Sequence, residues 1–283
     1  MTIFSEDISR ILVYLDNEKA KITNKGSERY AILCIVSSLV RCFKVYKNEQ
    51  RLSEATHLRM FSQLLDDLLM KDTNITFYDG ETVSRSTKRM KILTEDESEY
   101  GRRIDLIVRS KEAKEQYDLC SNEFKKTSVS TDVLTHQQSK NLRINACISN
   151  DINLLLGNTN TRINYFDFSG RRAYISQLFS FDGCSVAYKV GSFTIPESFI
   201  GLDQFRFSLI ALYNWKKCTI DNGRKVIVQL SKAEEDYGLV DISNDILDYR
   251  SSSPPRNTVN HVPVHFSPSK GQKRTSSVVH AEG

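Results

Sequence analysis

Apolar residues recur at helical spacing in the first part of the chain. Ser27 to Lys44 carries one apolar stripe, and between Ser53 and Met70 Leu58, Phe61, Leu64, Leu65, Leu68 and Leu69 return every three or four residues. Ser53 is placed to cap that second helix. The pattern then changes period. Asn74 to Tyr78 reads as a short strand and Asp79 to Tyr100 as a long polar connection. Arg103 to Arg109 and the alternating stretch Tyr117 to Lys125 read as a hairpin joined by the polar turn Ser110 to Gln116. A helix is predicted from Thr131 or Asp132 to Leu156. Three strands follow over Arg162 to Phe168, Arg171 to Phe181 and Ser185 to Ile195, turned by Ser169-Gly170 and Asp182-Gly183. Pro196 ends the meander, and Leu202, Phe205, Leu209, Leu212 and Tyr213 mark a helix over Leu202 to Lys217. Beyond Asp221 the periodicity fades.

Helices alternating with strands in this order predict an α+β or α/β chain with a central mixed sheet flanked by helices. The expected organisation is an N-terminal helical segment (1–48), a core domain (49–220), an extension of uncertain form (221–249) and a tail (250–283). The tail holds four of the five prolines, many serines and no apolar periodicity, the composition of a disordered segment. No repeat of 20–50 residues is visible.

Composition narrows the function classes. The 283 residues are 40% hydrophobic and 26% charged, enough for a sizeable core. The longest apolar stretch, Ala31 to Val40, is interrupted by Ser37 and Ser38 and falls far short of the roughly 18 residues of a membrane span. Met1 to Arg10 carries Glu6 and Asp7 and lacks the form of a secretory signal. These features predict an intracellular protein, nuclear or cytoplasmic, without membrane contact. The net charge of +4 is carried entirely by the tail, where Arg250, Arg256, Lys270, Lys273 and Arg274 outnumber Glu282, so residues 1–249 are neutral. A neutral domain does not present a broad phosphate-binding face, although a local basic groove remains compatible with it. Six cysteines without a C-x-x-C pair predict reduced, mostly buried thiols. Only His57 and His136 precede residue 260, too few for a His-rich zinc site, and neither accompanies a G-x-S-x-G nucleophile motif. Glycine-rich nucleotide loops are absent from the sequence.

The chemistry-bearing residues lie on the predicted hairpin. Ile104, Leu106 and Val108 share one face of the first strand, leaving Asp105 on the other, and a turn centred near Lys114 sets Asp105 opposite Glu123. Two carboxylates about 5 Å apart across a strand pair repel. A divalent cation between them reverses that cost, and Mg²⁺ (or Mn²⁺) suits one or two carboxylates plus water and phosphate. Lys125, two residues beyond Glu123, shares its face and supplies an ammonium. Together these are the parts of metal-assisted phosphodiester hydrolysis.

Ile104-Asp105 followed by Glu123-Phe124-Lys125 resembles the D…E-x-K core of the PD-(D/E)XK nuclease superfamily, with Ile104 in place of the proline. The resemblance implies a restriction-endonuclease-like core in the order helix, three-stranded meander, helix, strand. It also implies Asp105 and Glu123 as metal ligands, Lys125 as a catalytic residue, Glu54 on the first core helix as an added acid, and a glutamine on the helix after E-x-K. On that helix Gln138, Asn141 and Asn145 fall within the apolar stripe, and Gln138 lies on the turn nearest the hairpin. Over about residues 50–218 the chain is also similar to a multi-copy family of uncharacterised fungal proteins. That similarity is carried by Gln137 to Asn145, Asp167-Phe168-Ser169-Gly170, Phe193 to Pro196, Leu202 to Arg206 and Leu212 to Lys216, with the blocks around Asp105 and Glu123.

Structural alternatives accompany each site residue. Glu123 and Lys125 also fit a neighbouring ion pair on a half-solvated sheet. Glu54 fits a helix-dipole partner beside the Ser53 cap, and Gln138 fits a buried hydrogen-bond network. Lys140 and Arg143 fall on or near the solvated helix face, as surface charge or as part of a phosphate-binding groove, and Trp215 is assigned to the core. The functional expectation is a metal-dependent nuclease or its catalytically degenerate descendant, with nucleic acid as partner. The alternatives are a binding module of the same fold and an adaptor acting through its tail, where Pro268 to Arg274 could form a nuclear address.

Overall fold

The computed structural model describes residues 2–46, 52–72, 74–93, 102–111, 116–158, 160–244 and 264. The elements run α1 (Thr2–Ala20), α2 (Glu28–Tyr46), α3 (Glu54–Leu69), β1 (Ile75–Val83), α4 (Arg85–Leu93), β2 (Arg103–Ser110) and β3 (Asp118–Lys125). They continue with α5 (Thr131–Leu156), β4 (Ile163–Ser169), β5 (Arg172–Phe181), β6 (Cys184–Thr194) and α6 (Leu202–Asn244). One six-stranded sheet is ordered β1-β2-β3-β4-β5-β6. Every neighbouring pair is antiparallel except β3 with β4, which is parallel and joined through α5. The protein is therefore α+β, with a mixed sheet between helical layers. The central strand β4 is buried along nearly its whole length, as a strand covered on both faces must be.

One face of the sheet is apolar. Phe61 of α3 lies 4.6–5.8 Å from the ring centroids of Phe124, Phe166, Phe168 and Phe193, and Phe124 stacks on Phe168 at 4.3 Å. Trp215 and Phe205 of α6 join this cluster through Phe166 and Phe193. The opposite face meets α5 through both buried apolar side chains, among them Ile144, Ile148 and Ile152, and polar groups. α1 and α2 pack outside α3, where the Ser38 hydroxyl donates to Asp67 at 2.6 Å.

The predicted helix 53–70 forms as α3, and the Ser53 hydroxyl accepts from the amide of Thr56. The hairpin, α5 and the three later strands also form close to their expected bounds. Asp182-Gly183, both at positive φ, make the two-residue turn between β5 and β6.

Two expectations are corrected. The polar stretch 79–100 is not simply a connection, because β1 extends to Val83 and α4 follows. Polar groups anchor α4: Asp118 accepts from the Ser84 hydroxyl and the Ser86 amide, and Asp151 of α5 accepts from the Ser86 hydroxyl and pairs with Arg89. The buried positions Ser86, Thr87 and Met90 recur at helical spacing, but two of the three are polar, so apolar residues alone do not mark this helix.

The helix expected over 202–217 continues to Asn244, through an Asp221-Asn222-Gly223 stretch that resembles a turn signal. Any Cβ at Gly223 would stand 2.9 Å from Ile75 and 3.3 Å from Leu119, so the glycine here permits close approach of helix to sheet. Asn222 donates to the carbonyl of Arg162 at 2.7 Å. The expected extension 221–249 is thus, as far as Asn244, the continuation of this helix.

Trp215 is fully buried, as expected. All six cysteines are free, with Cys120 and Cys147 buried and Cys184 exposed. Among the described residues no helix is long and apolar enough to cross a membrane. The tail and the Ser110 to Gln116 turn lie largely outside the described residues. Val264 of the tail is described and packs against the core.

Phe61 joins α3 to three strands, so Phe61→Ala is expected to destabilise the fold by about 3–5 kcal/mol. Equilibrium urea unfolding measures this, and Phe61→Leu should cost less.

Candidate active site

β3 changes partners along its length. Leu106 pairs with Asn122, Ile107 with Ser121 and Val108 with Cys120, whereas Glu123, Phe124 and Lys125 pair in parallel with Asp167, Phe168 and Ser169. At this fork side chains replace missing ladder bonds. Asp105 accepts from the amide of Phe124 at 2.8 Å, and the Asn122 side chain accepts from the amide of Phe166 at 2.9 Å. On its other side Asp105 faces a bulge, since the β1 register breaks between Asp79 and Thr82 where Gly80 and Glu81 take φ of 82° and 60°. Such irregularities re-aim side chains and recur near functional sites.

The register between β2 and β3 is the one expected from a turn centred near Lys114, and one further step sets Asp105 against Glu123. Glu123 stands beside Asp167 in turn. Cross-strand partners share a face, so Asp105, Glu123 and Asp167 form a row at the carboxyl ends of the parallel strands, beneath α5.

Lys125 donates to Glu54 at 2.6 Å and to the Phe124 carbonyl at 2.8 Å. The fold therefore joins four of the predicted residues in two linked pairs, Asp105 with the Glu123-Phe124 segment and Lys125 with Glu54. Gln138 is half-buried and borders a cavity beside Asp167.

Lys140 lies near the solvated face but turns its ammonium inward rather than leaving it as surface charge. Its ammonium donates to both carboxylate oxygens of Glu123, at 2.8 and 2.9 Å. Arg143 is half-buried rather than exposed. Asn141 and Asn145, placed in the apolar stripe, are buried and satisfied: Asn141 bonds Ser121, Phe166 and Asp167, and Asn145 bonds both backbone groups of Ser121.

Sequence reasoning missed Asp167 and Gln137. A charged residue inside the apolar strand Arg162 to Phe168 is itself a signal, since unpaired carboxylates are rarely buried. The helical phase that selected Gln138 also places Gln137 about 60° from Leu134, at 100° per residue.

Burial pushes the Glu123 carboxyl up to about 7, with Asp105 adding to the rise and Lys140 opposing it. Burial likewise pushes Asp167 up to about 7, against its bond from Asn141. At Glu123 the cost of burial outweighs the help of the nearby ammoniums. Two neighbouring carboxylates and solvent form a donor set that suits Mg²⁺ or Mn²⁺, so Asp105 and Glu123 fit such an ion chemically. Among the described residues no group of three or more His, Cys, Asp or Glu side chains is assembled to hold a metal.

Comparison with known protein families, with curated proteins and with solved structures finds no match to this chain. The functional reading therefore rests on the site itself.

Both raised carboxyls bind their proton more tightly in the folded chain than in the unfolded one, where Glu and Asp titrate near about 4. Their contribution to stability is present below about pH 4 and is lost as pH rises through about 7. In EDTA the Tm should fall between about pH 5 and 8, and fall less in Asp167→Asn. Thermal unfolding across that range checks this, and identical slopes would remove Asp167 from the titration.

Proposed function

We propose that the protein is a metal-dependent nuclease-like phosphodiester hydrolase of the PD-(D/E)XK type. The observation that carries this reading is the placing of Asp105 and Glu123 on neighbouring strands at the β3 fork, with Lys125 two residues on and held by Glu54. The order α3, β1, α4, β2, β3, α5, β4 supports a restriction-endonuclease-like core, since apart from α4, inserted between β1 and β2, it is the helix, meander, helix and strand that the D…E-x-K resemblance implies.

In this reading Asp105 and Glu123 hold Mg²⁺ or Mn²⁺, which when bound polarises a phosphoryl oxygen and acidifies a water. The Phe124 amide orients Asp105. Lys125, tethered by Glu54, orients the attacking water or offsets charge developing on the phosphate. Because Glu123 must be ionised to serve as a ligand, metal affinity should rise with pH through about 7.

One observation favours the alternative of a nucleic-acid-binding module without turnover. The Lys140 ammonium already engages both Glu123 oxygens, as an internal cation would in a site that has lost its metal.

Labelled duplex DNA, single-stranded DNA and RNA, incubated with Mg²⁺ or Mn²⁺, test the two readings. For the nuclease, wild type cuts and Asp105→Asn and Lys125→Ala each lose at least about a hundredfold in rate, the scale of losing one transition-state contact. A folded wild type that neither cuts nor binds Mn²⁺ by calorimetry leaves the binding module.

A further inference from the structure

The carboxylate row does not end at Asp167. Asp167 pairs with Tyr174 of β5, and Tyr174 pairs with Ser192 of β6, so all of these side chains share the α5 face of the sheet. With about 4.8 Å between strands, Tyr174 stands roughly 10 Å from Glu123 along this row. Beyond the edge of α5 the row opens into a cavity of about 610 Å³, bordered by Gln137, Gln138, Asp167, Arg172, Tyr174 and Lys189. This volume is within the usual range for a small-molecule site.

The cavity lining has three chemical parts. Gln137 is 4% exposed, and its Oε1 is buried with no hydrogen-bond partner, an acceptor that calls for a donor. Asp167 lies beside it, and only Asn141 engages its carboxylate among the hydrogen bonds described. Tyr174 is half exposed, and the Lys189 ammonium covers one face of its ring, 4.0 Å from the centroid, so stacking falls to the other face. Arg172 and Lys189 are exposed at the border, and the neighbouring Arg171 is held by Glu197.

We infer that this cavity receives one unpaired base of a single-stranded nucleic acid. The base stacks on Tyr174 and its amino edge donates to Gln137 and Asp167, while the backbone runs past Arg172 and Lys189 toward Glu123. A paired base has that edge occupied by its complement, so a duplex would have to open before it could enter. Stacking on an aromatic ring beside basic side chains is the general mode of single-strand binding. A local basic border of this kind is compatible with a neutral domain. The inference rests on the nuclease reading for the direction of the strand, and on the cavity alone for its occupant.

Fluorescence anisotropy with a labelled 12-nucleotide single strand, as DNA and as RNA, against the same DNA sequence as a blunt duplex, tests this on the full chain in EDTA. The wild type should bind at least one of the single strands about tenfold more tightly than the duplex. Tyr174→Ala should lose about tenfold on that strand, in keeping with the loss of one stacked base. Gln137→Met should erase a preference for poly-A or poly-C over poly-T, because thymine lacks the exocyclic amino group. Tyr174 is half exposed, and a thermal melt matching wild type confirms that its variant is folded. Equal binding by wild type and Tyr174→Ala, or no preference over duplex, overturns the inference.

The two readings fail separately. Single-strand binding that depends on Tyr174 in a protein that does not cut upholds the cavity and defeats the nuclease. Cleavage that requires Asp105 and Lys125, with an unchanged single-strand KM in Tyr174→Ala, does the reverse.

Discussion

A strand interior to a sheet must satisfy backbone groups on both of its edges, and β3 does so by dividing its length between two neighbours. Its first part completes an antiparallel ladder with β2, and its last three residues pair in parallel with β4. Buried backbone groups cannot be left unpaired, so the point of division needs substitutes, and the Asp105 and Asn122 side chains supply them. The same division brings residues from β2, β3 and β4 together beneath α5. The carboxylate row is thus a product of how the ladder closes.

Much of this was legible in the sequence because it depends on local periodicity. The α3 stripe, the Ser53 cap, the hairpin register and the Asp182-Gly183 turn each depend on a few residues whose spacing dictates one outcome. The elements that escaped notice are those whose stability comes from partners distant in the chain. α4 is anchored by Asp118 and Asp151, 32 and 65 residues from Ser86. The second half of α6 survives a turn-like Asp-Asn-Gly because the missing side chain at Gly223 fits against Ile75 and Leu119.

The candidate site divides in the same way. Asp105, Glu123 and Lys125 follow from strand alternation, which is a local rule. Lys140 and Asp167 belong to the site through the parallel crossover, and helical phase alone sent Lys140 to solvent. A lysine stem can lie along a helix and deliver its ammonium well away from its Cα direction. Here the buried carboxylate of Glu123 draws it in.

α5 meets the sheet through hydrogen bonds as well as through the buried side chains of Ile144, Ile148 and Ile152. Asn141 and Asn145, one helical turn apart, together hold the Ser121 hydroxyl and backbone, the Phe166 carbonyl and the Asp167 carboxylate. An oily interface tolerates small slippage, whereas displacing this helix by one residue would leave several buried donors and acceptors unmatched at once, each costing about 1–3 kcal/mol. The helix is keyed to a single setting. The cleft therefore acquires its shape when the chain folds, and an incoming ligand meets walls whose conformational freedom has already been surrendered.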